Sequence, residues 1–137
     1  MNLTIRIATP QDIDVLSQHE QKHISRDLLS HKITHGEVTV AYVDDVFVGW
    51  LRHGLFWDGI PFMNLIELLP EYHGKGIGTK LTLYWEAAMK AQDYTKVMTS
   101  TQQDETAQHF YTKLGYRAIG GFAEAGEAYE ILFEKHL

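Results

Sequence analysis

The chain has 137 residues, 45% of them apolar and 22% charged, which bounds it to one globular domain with a single sizeable core. The absence of cysteine excludes disulfides, thiolate zinc sites and a thiol nucleophile, and suits an intracellular, cytoplasmic setting. A formal net charge of −6 argues against a nucleic-acid backbone as partner and favours a cationic small molecule or peptide.

Leu3, Ile5 and Ile7 alternate with Thr4, Arg6 and Ala8, predicting a half-buried first strand without the apolar h-region of a signal peptide. Thr9-Pro10-Gln11-Asp12 reads as a helix start, with Thr9 as N-cap, Pro10 at the first helical position and an acid in the first turn. Ile13 and Leu16 open its apolar face. From Gln18 to His35 the chain is polar apart from Ile24, Leu28, Leu29 and Ile33, which predicts a second helix or helical loop. Within it, His19-Glu20-Gln21-Lys22-His23 satisfies H-E-x-x-H, the spacing that sets two zinc-binding histidines on one helix face with a glutamate base. Its interior and flanks, Ser17, Gln18, Gln21, Lys22 and Ser25, describe a solvated face, and no third ligand stands out downstream. The expectation is a coincidental surface pair with no bound metal, and the same holds for His31 and His35.

Val38 to Val43 and Val46 to His53 are rich in β-branched and aromatic residues and predict a hairpin around Asp44-Asp45. Gly54 to Pro61 reads as a loop, and Phe62 to Leu69 as a central strand buried on both faces. Asn64 and Glu67 interrupt that run. A carboxylate buried there needs a partner or a task, so Glu67 is a solvated strand end, the partner in a structural hydrogen bond, or a base with a raised pKa.

The strand leads into Pro70-Glu71-Tyr72-His73-Gly74-Lys75-Gly76-Ile77-Gly78-Thr79-Lys80-Leu81. Strand, glycine-rich turn and helix N-terminus in this order leave several backbone N–H groups free to point at one anion. Lys75 adds a positive charge, and Gly76 and Gly78 lack the Cβ atoms that hold a phosphate off. The spacing fits neither the P-loop nor the dinucleotide fingerprint. Pyrophosphate binding and an ordinary helix-capping turn both remain open on the glycines alone.

The following helix carries Ile77, Leu81, Tyr84, Trp85 and Ala88 on one side. Lys96 to Thr101 predicts a short strand, and Asp104 an N-cap for a helix with Ala107, Phe110, Tyr111 and Leu114, ended by Gly115. By periodicity Tyr111 is a core aromatic beside Phe110. Tyr116 to Ile119 and Tyr129 to Phe133 are the last strands, around a loop from Gly120 to Ala128. No run approaches a membrane span. The order predicts an α/β or α+β fold with a mixed sheet.

Two separated segments make the chain resemble the GNAT N-acetyltransferase superfamily over essentially its whole length, as a single domain of residues 1–137. Leu68 to Leu81 resembles the family's acetyl-CoA pyrophosphate loop, R/Q-x-x-G-x-G/A, with His73 where Arg or Gln is usual. Asp104-Glu105-Thr106-Ala107-Gln108-His109-Phe110-Tyr111-Thr112-Lys113-Leu114-Gly115-Tyr116 resembles N-x-x-A-x-x-F-Y-x-K-x-G-F, with Asp104 where Asn is frequent. The resemblance implies a mixed, mostly antiparallel twisted sheet of six to seven strands, splayed at the central strand and flanked by about four helices. It also implies acetyl-CoA as cosubstrate, held by Leu68, Leu69, His73, Gly74, Lys75, Gly76, Ile77, Gly78, Thr79, Asp104 and Phe110, with the pantetheine arm along the backbone near Leu68. Direct transfer to a primary amine of a small molecule or peptide would follow, with Tyr111 protonating the leaving thiolate, Glu67 as general base, and no metal, nucleic acid or membrane involved. A homodimer is compatible with this reading. The alternative, motivated by His73 and Asp104, is a sensor or scaffold of the same fold that binds acyl-CoA without turnover.

Overall fold

The computed structural model describes residues 1–137. Seven strands, β1 (Leu3–Ile7), β2 (Val38–Val43), β3 (Val46–Phe56), β4 (Ile60–Leu68), β5 (Lys96–Gln102), β6 (Arg117–Phe122) and β7 (Glu130–His136), form one mixed sheet in the order β1-β2-β3-β4-β5-β7-β6, accompanied by four α-helices. The chain divides into two compact units, Met1–His53 with Leu65–Trp85, and Gly54–Asn64 with Glu86–Leu137.

In the first unit β1 (Leu3–Ile7) pairs antiparallel with β2 (Val38–Val43), and β2 with β3 (Val46–Phe56). Asp44 and Asp45 both take positive φ, at 49° and 67°, the conformation a tight hairpin of this kind needs. The β2–β3 register shifts between Ala41 and Tyr42, so that Ala41 faces Gly49 while Tyr42 faces Phe47. Val48 is therefore an extra residue on β3, a bulge. The bulge sends Phe47 and Trp50 into the same apolar cluster, although simple alternation puts residues three apart on opposite faces.

That cluster holds Leu16 of α1 (Ile13–Glu20), Leu29 and Ile33 of α2 (Arg26–Thr34), and Val38 and Val40 of β2. On the other face Ala41, Val43 and Val48 pack with Ile77, the first residue of α3 (Ile77–Ala91). The first helix begins as predicted at Thr9, but through a 3₁₀ turn at Pro10–Asp12. Burial alone would raise the Asp12 carboxyl; hydrogen bonds from Arg6, Tyr42 and the Thr9 N–H outweigh it and hold the group down at about 2. Buried Glu20 pairs with Arg52 at 2.6 Å.

His53, 6% exposed, lies 5.7 Å ring to ring from Trp85, with its Nδ1 unpartnered. Burial, with a smaller opposing effect of Glu37, pushes its imidazole down to about 4 from 6.5. Stability from this group is full above about pH 6.5. As pH falls towards about 4 the unfolded chain binds a proton that the folded protein refuses, which removes up to about 3 kcal/mol. Urea unfolding across that range should record the loss, and His53→Phe should flatten the profile; an equally steep profile in the variant would assign it to other groups.

In the second unit β5 (Lys96–Gln102) pairs antiparallel with β7 (Glu130–His136), and β7 with β6 (Arg117–Phe122). β4 (Ile60–Leu68) is parallel to β5, registered at Phe62↔Met98 and Met63↔Thr99. Glu86 of α3 accepts hydrogen bonds from Tyr116 Oη at 2.8 Å and Lys135 Nζ at 2.7 Å, tying the second half of the helix to β7 and to the residue that precedes β6. α4 (Ala107–Lys113) ends where predicted, at Gly115 with φ 96°. No helix is long and apolar enough to cross a membrane.

Several expectations are corrected. The segment Gly54 to Pro61 is mostly strand, because Trp57 and Asp58 make a tight positive-φ turn and β4 begins at Ile60. β6 extends to Phe122, which shortens the following loop. β4 is not buried on both faces: Pro61 and Met63 are, Asn64 is exposed, and Leu65 to Leu68 are half-buried. An apolar run reports what a strand is able to bury, not what the chain supplies to cover it. Asp104 is not the N-cap of α4; that position is Thr106.

Candidate active site

The glycine loop follows a 3₁₀ turn at Pro70–Tyr72 and opens directly into α3. Gly74 and Gly76 take φ of 73° and 80°, conformations that favour glycine. A Cβ built on either meets no atom within 4 Å, so the space above the loop is open. The first helical bond in this region is Lys80 N–H to Gly76 O at 3.2 Å. The amides of Ile77, Gly78 and Thr79 precede any intrahelical acceptor, at the positive end of a helix of 15 residues. With Lys75 exposed beside them, these groups fit a pyrophosphate.

The other predicted cofactor residues fall into distinct settings. The Ile77 side chain is 1% exposed within the core, which leaves its backbone N–H for a ligand. His73 Nε2 donates to the Leu68 carbonyl at 2.9 Å, so this imidazole ties the strand end to the loop. Leu68 packs its side chain on the α3 side, and the Leu69 N–H is bonded to Val48 O at 2.8 Å. β3 comes so close there that a Cβ at Gly49 would lie 2.6 Å from Glu67 O.

Glu67 is 41% exposed in its side chain rather than buried, and its Oε1 lies 3.9 Å from His23 Nε2. The solvated-face expectation for H-E-x-x-H is therefore only partly met. His19 stacks on Phe47 at 5.3 Å between ring centroids and lies 5.7 Å from Trp50, while Glu20 is sealed against Arg52. α1 ends at Glu20, so His23 sits in the following turn and not one helical turn along the same face. No group of three or more His, Asp or Glu side chains is placed to hold a metal ion. His35 Nδ1 meets His31 O at 2.7 Å at the end of α2.

Sequence reading missed the Glu20–Arg52 pair. Its signal was the spacing of Glu20 four residues after Leu16, which places an acid on the core face of an amphipathic helix. Glu20→Ala leaves a nearly buried guanidinium without its partner and should cost about 3 kcal/mol by urea denaturation. A change below about 1 kcal/mol would mean that Arg52 finds solvent or another acceptor.

In the second unit Tyr111 of α4 is 5% exposed, with its ring 5.5 Å from Phe110, 5.6 Å from Tyr116 and 6.0 Å from Phe133. Burial pushes its phenol above the usual value, and the Thr99 hydroxyl partly opposes this. The buried phenol therefore keeps its proton across the neutral range. Phe110 is half-buried and Asp104 exposed. The turn before α4 is braced by Gln108, whose side-chain amide donates to Gln103 O at 2.8 Å and Glu105 O at 3.1 Å.

A family model described as the acetyltransferase (GNAT) family matches residues 5–116. No curated protein sequence matches the chain significantly. Among solved structures, Ard1 from Thermoplasma volcanium is similar with a TM-score of 0.86 at 16% identity, covering 100% of this chain and 99% of that one. The PaiA N-acetyltransferase from Thermoplasma acidophilum, solved with coenzyme A, gives 0.81 at 18% identity with 100% of each chain covered. Naa50 from Arabidopsis thaliana, in complex with the bisubstrate analogue CoA-Ac-MVNAL, gives 0.80 at 16% identity, again with 100% of each covered.

Proposed function

The chain belongs to the GNAT acetyltransferase family, and on that premise we propose that it transfers the acetyl group of acetyl-CoA to a primary amine of a small molecule or peptide. The observation that carries the reading is the glycine loop at the start of α3, with its open space and its amides lacking helical partners. Gly74 to Thr79 would hold the pyrophosphate, chiefly through backbone N–H groups, with Lys75 contributing charge. His73 is bonded to Leu68 and would act there by shaping the loop. β4 continues to Leu68 beyond its last registered pair with β5 at Met63, which leaves a strand end able to pair with an amide-bearing arm.

Bound acetyl-CoA supplies an activated acyl carbon and a thiolate leaving group. The residues supply proton management. The acceptor must lose a proton before its nitrogen has a lone pair to attack with, and Glu67, half-exposed on β4, is the proposed base. Tyr111, which matches the family's acid in the resemblance above, is the proposed donor of a proton to the departing sulfur. A second proton, lost from the nitrogen as the amide forms, restores the phenol through solvent. One amine hydrogen stays in the product amide, so the charges and atoms balance.

The test is thiol release from acetyl-CoA with a panel of polyamines, amino acids and short peptides bearing a free α-amino group. Amine-dependent release is expected. Acetyl-CoA binding by calorimetry without release from any panel member would instead support the acyl-CoA sensor, and absence of binding would reject both.

A further inference from the structure

We propose that His23 works with Glu67 as a paired acid–base site that takes the proton from the acceptor ammonium, an assignment that rests on the acetyltransferase reading above. The two polar ends are 3.9 Å apart, beyond direct hydrogen bonding but well within Coulombic reach. Both stay open to solvent, His23 at 31% and Glu67 at 41% side-chain exposure, so a third group carrying hydrogens can touch both.

His23 is held in place for this. The Glu20 carbonyl accepts from the His23 N–H at 2.7 Å and from the Ile24 N–H at 3.0 Å, while the Glu20 side chain is locked to Arg52 on β3. Ile24 packs on the apolar cluster of α1 and α2, and Ser25 Oγ accepts from the Leu28 N–H as the cap of α2. The turn is thus pinned on both sides of His23. On β4, Leu65 packs against that same cluster and Leu68 against the other, so two-residue alternation puts Glu67 on the Leu65 face, where His23 stands. Of the other two members of the H-E-x-x-H motif, His19 is stacked on Phe47 and buried Glu20 is locked to Arg52; His23 is left facing Glu67.

An imidazole improves on a carboxylate alone as base. An ordinary carboxylate is about six units less basic than an alkyl amine, an ordinary imidazole about four, and proton transfer is most efficient when the base is matched to neutral pH. In the step, one N–H bond of the ammonium breaks, its electron pair stays on the amine nitrogen, and the proton forms a new N–H bond on the neutral His23 ring. Glu67, named above as the base, acts in this pair by stabilising the imidazolium that results, and the imidazolium then releases the proton to solvent.

Two measurements test the pair. In NMR spectra of protein carrying isotope-labelled histidine, the ring signal missing from His23→Asn should move in Glu67→Gln; an unmoved signal means the two groups do not interact. In the thiol-release assay with acetyl-CoA and a peptide bearing a free α-amino group, or the best amine of the panel, His23→Ala should lower kcat about a hundredfold with acetyl-CoA affinity unchanged. Free imidazole should restore part of that rate, and the His23→Ala, Glu67→Gln double variant should be no slower than the slower single variant. Full activity in His23→Ala, with the wild type active, overturns the pair and leaves the acetyltransferase reading intact. A wild type that acetylates no amine overturns both.

Discussion

Gly76→Asp is expected to weaken acetyl-CoA binding by about a hundredfold or more while leaving the protein folded. The position has φ of 80°, which aspartate tolerates better than most residues, and nothing lies within 4 Å of the added Cβ. The folded chain therefore has room for the side chain. A ligand phosphate does not, since the carboxylate would enter the space the loop leaves open. Two like charges about 4 Å apart repel by about 4 kcal/mol at an effective dielectric of about 20. The loop is exposed and salt screens part of this, which still leaves at least two decades of affinity. Calorimetry with acetyl-CoA, paired with a thermal melt, reads both halves of the expectation. Unchanged affinity in a folded variant would remove the phosphate-loop assignment.

Tyr111→Phe should act on the opposite parameter. Removing one oxygen from a ring packed among Phe110, Tyr116 and Phe133 leaves the shape of the core in place, so folding and acetyl-CoA affinity should change little. If the phenol protonates the leaving thiolate, kcat should fall about a hundredfold, within the usual range for a positioned acid. Because burial raises the phenol, the acid form persists to higher pH than for a free tyrosine, and any alkaline loss of rate from this group should appear only above about pH 10. A variant with wild-type kcat would return Tyr111 to the role of a core aromatic.

Much of the fold was legible from local pattern. The β2–β3 hairpin followed from alternation around Asp44-Asp45, and the end of α4 from Gly115, because both depend on conformations that a few adjacent residues dictate. The segments Leu68–Leu81 and Asp104–Tyr116 carried the resemblance to the family whose model matches residues 5–116. The errors cluster where distant partners decide. The Val48 bulge brings Phe47 and Trp50 to one face and gives His19 an aromatic bed, and no local period announces it. Gly54 looked like a loop because glycine is a poor strand former, yet β3 runs through it to Phe56.

The sequence by itself determined the order of elements and the loop at the head of α3, since glycine placement and hydrophobic period act within a turn or two of chain. Only the tertiary structure decided how each polar group is used. Glu20 is closed off by an arginine 32 residues away, His73 is bonded to the end of β4, and Asp12 is held by Arg6 and Tyr42. His23 and Glu67, 44 positions apart in the numbering, are left facing one another and open to solvent. The physical reason is that desolvation and pairing set the availability of a charged or titratable side chain, and both are properties of its neighbours in space.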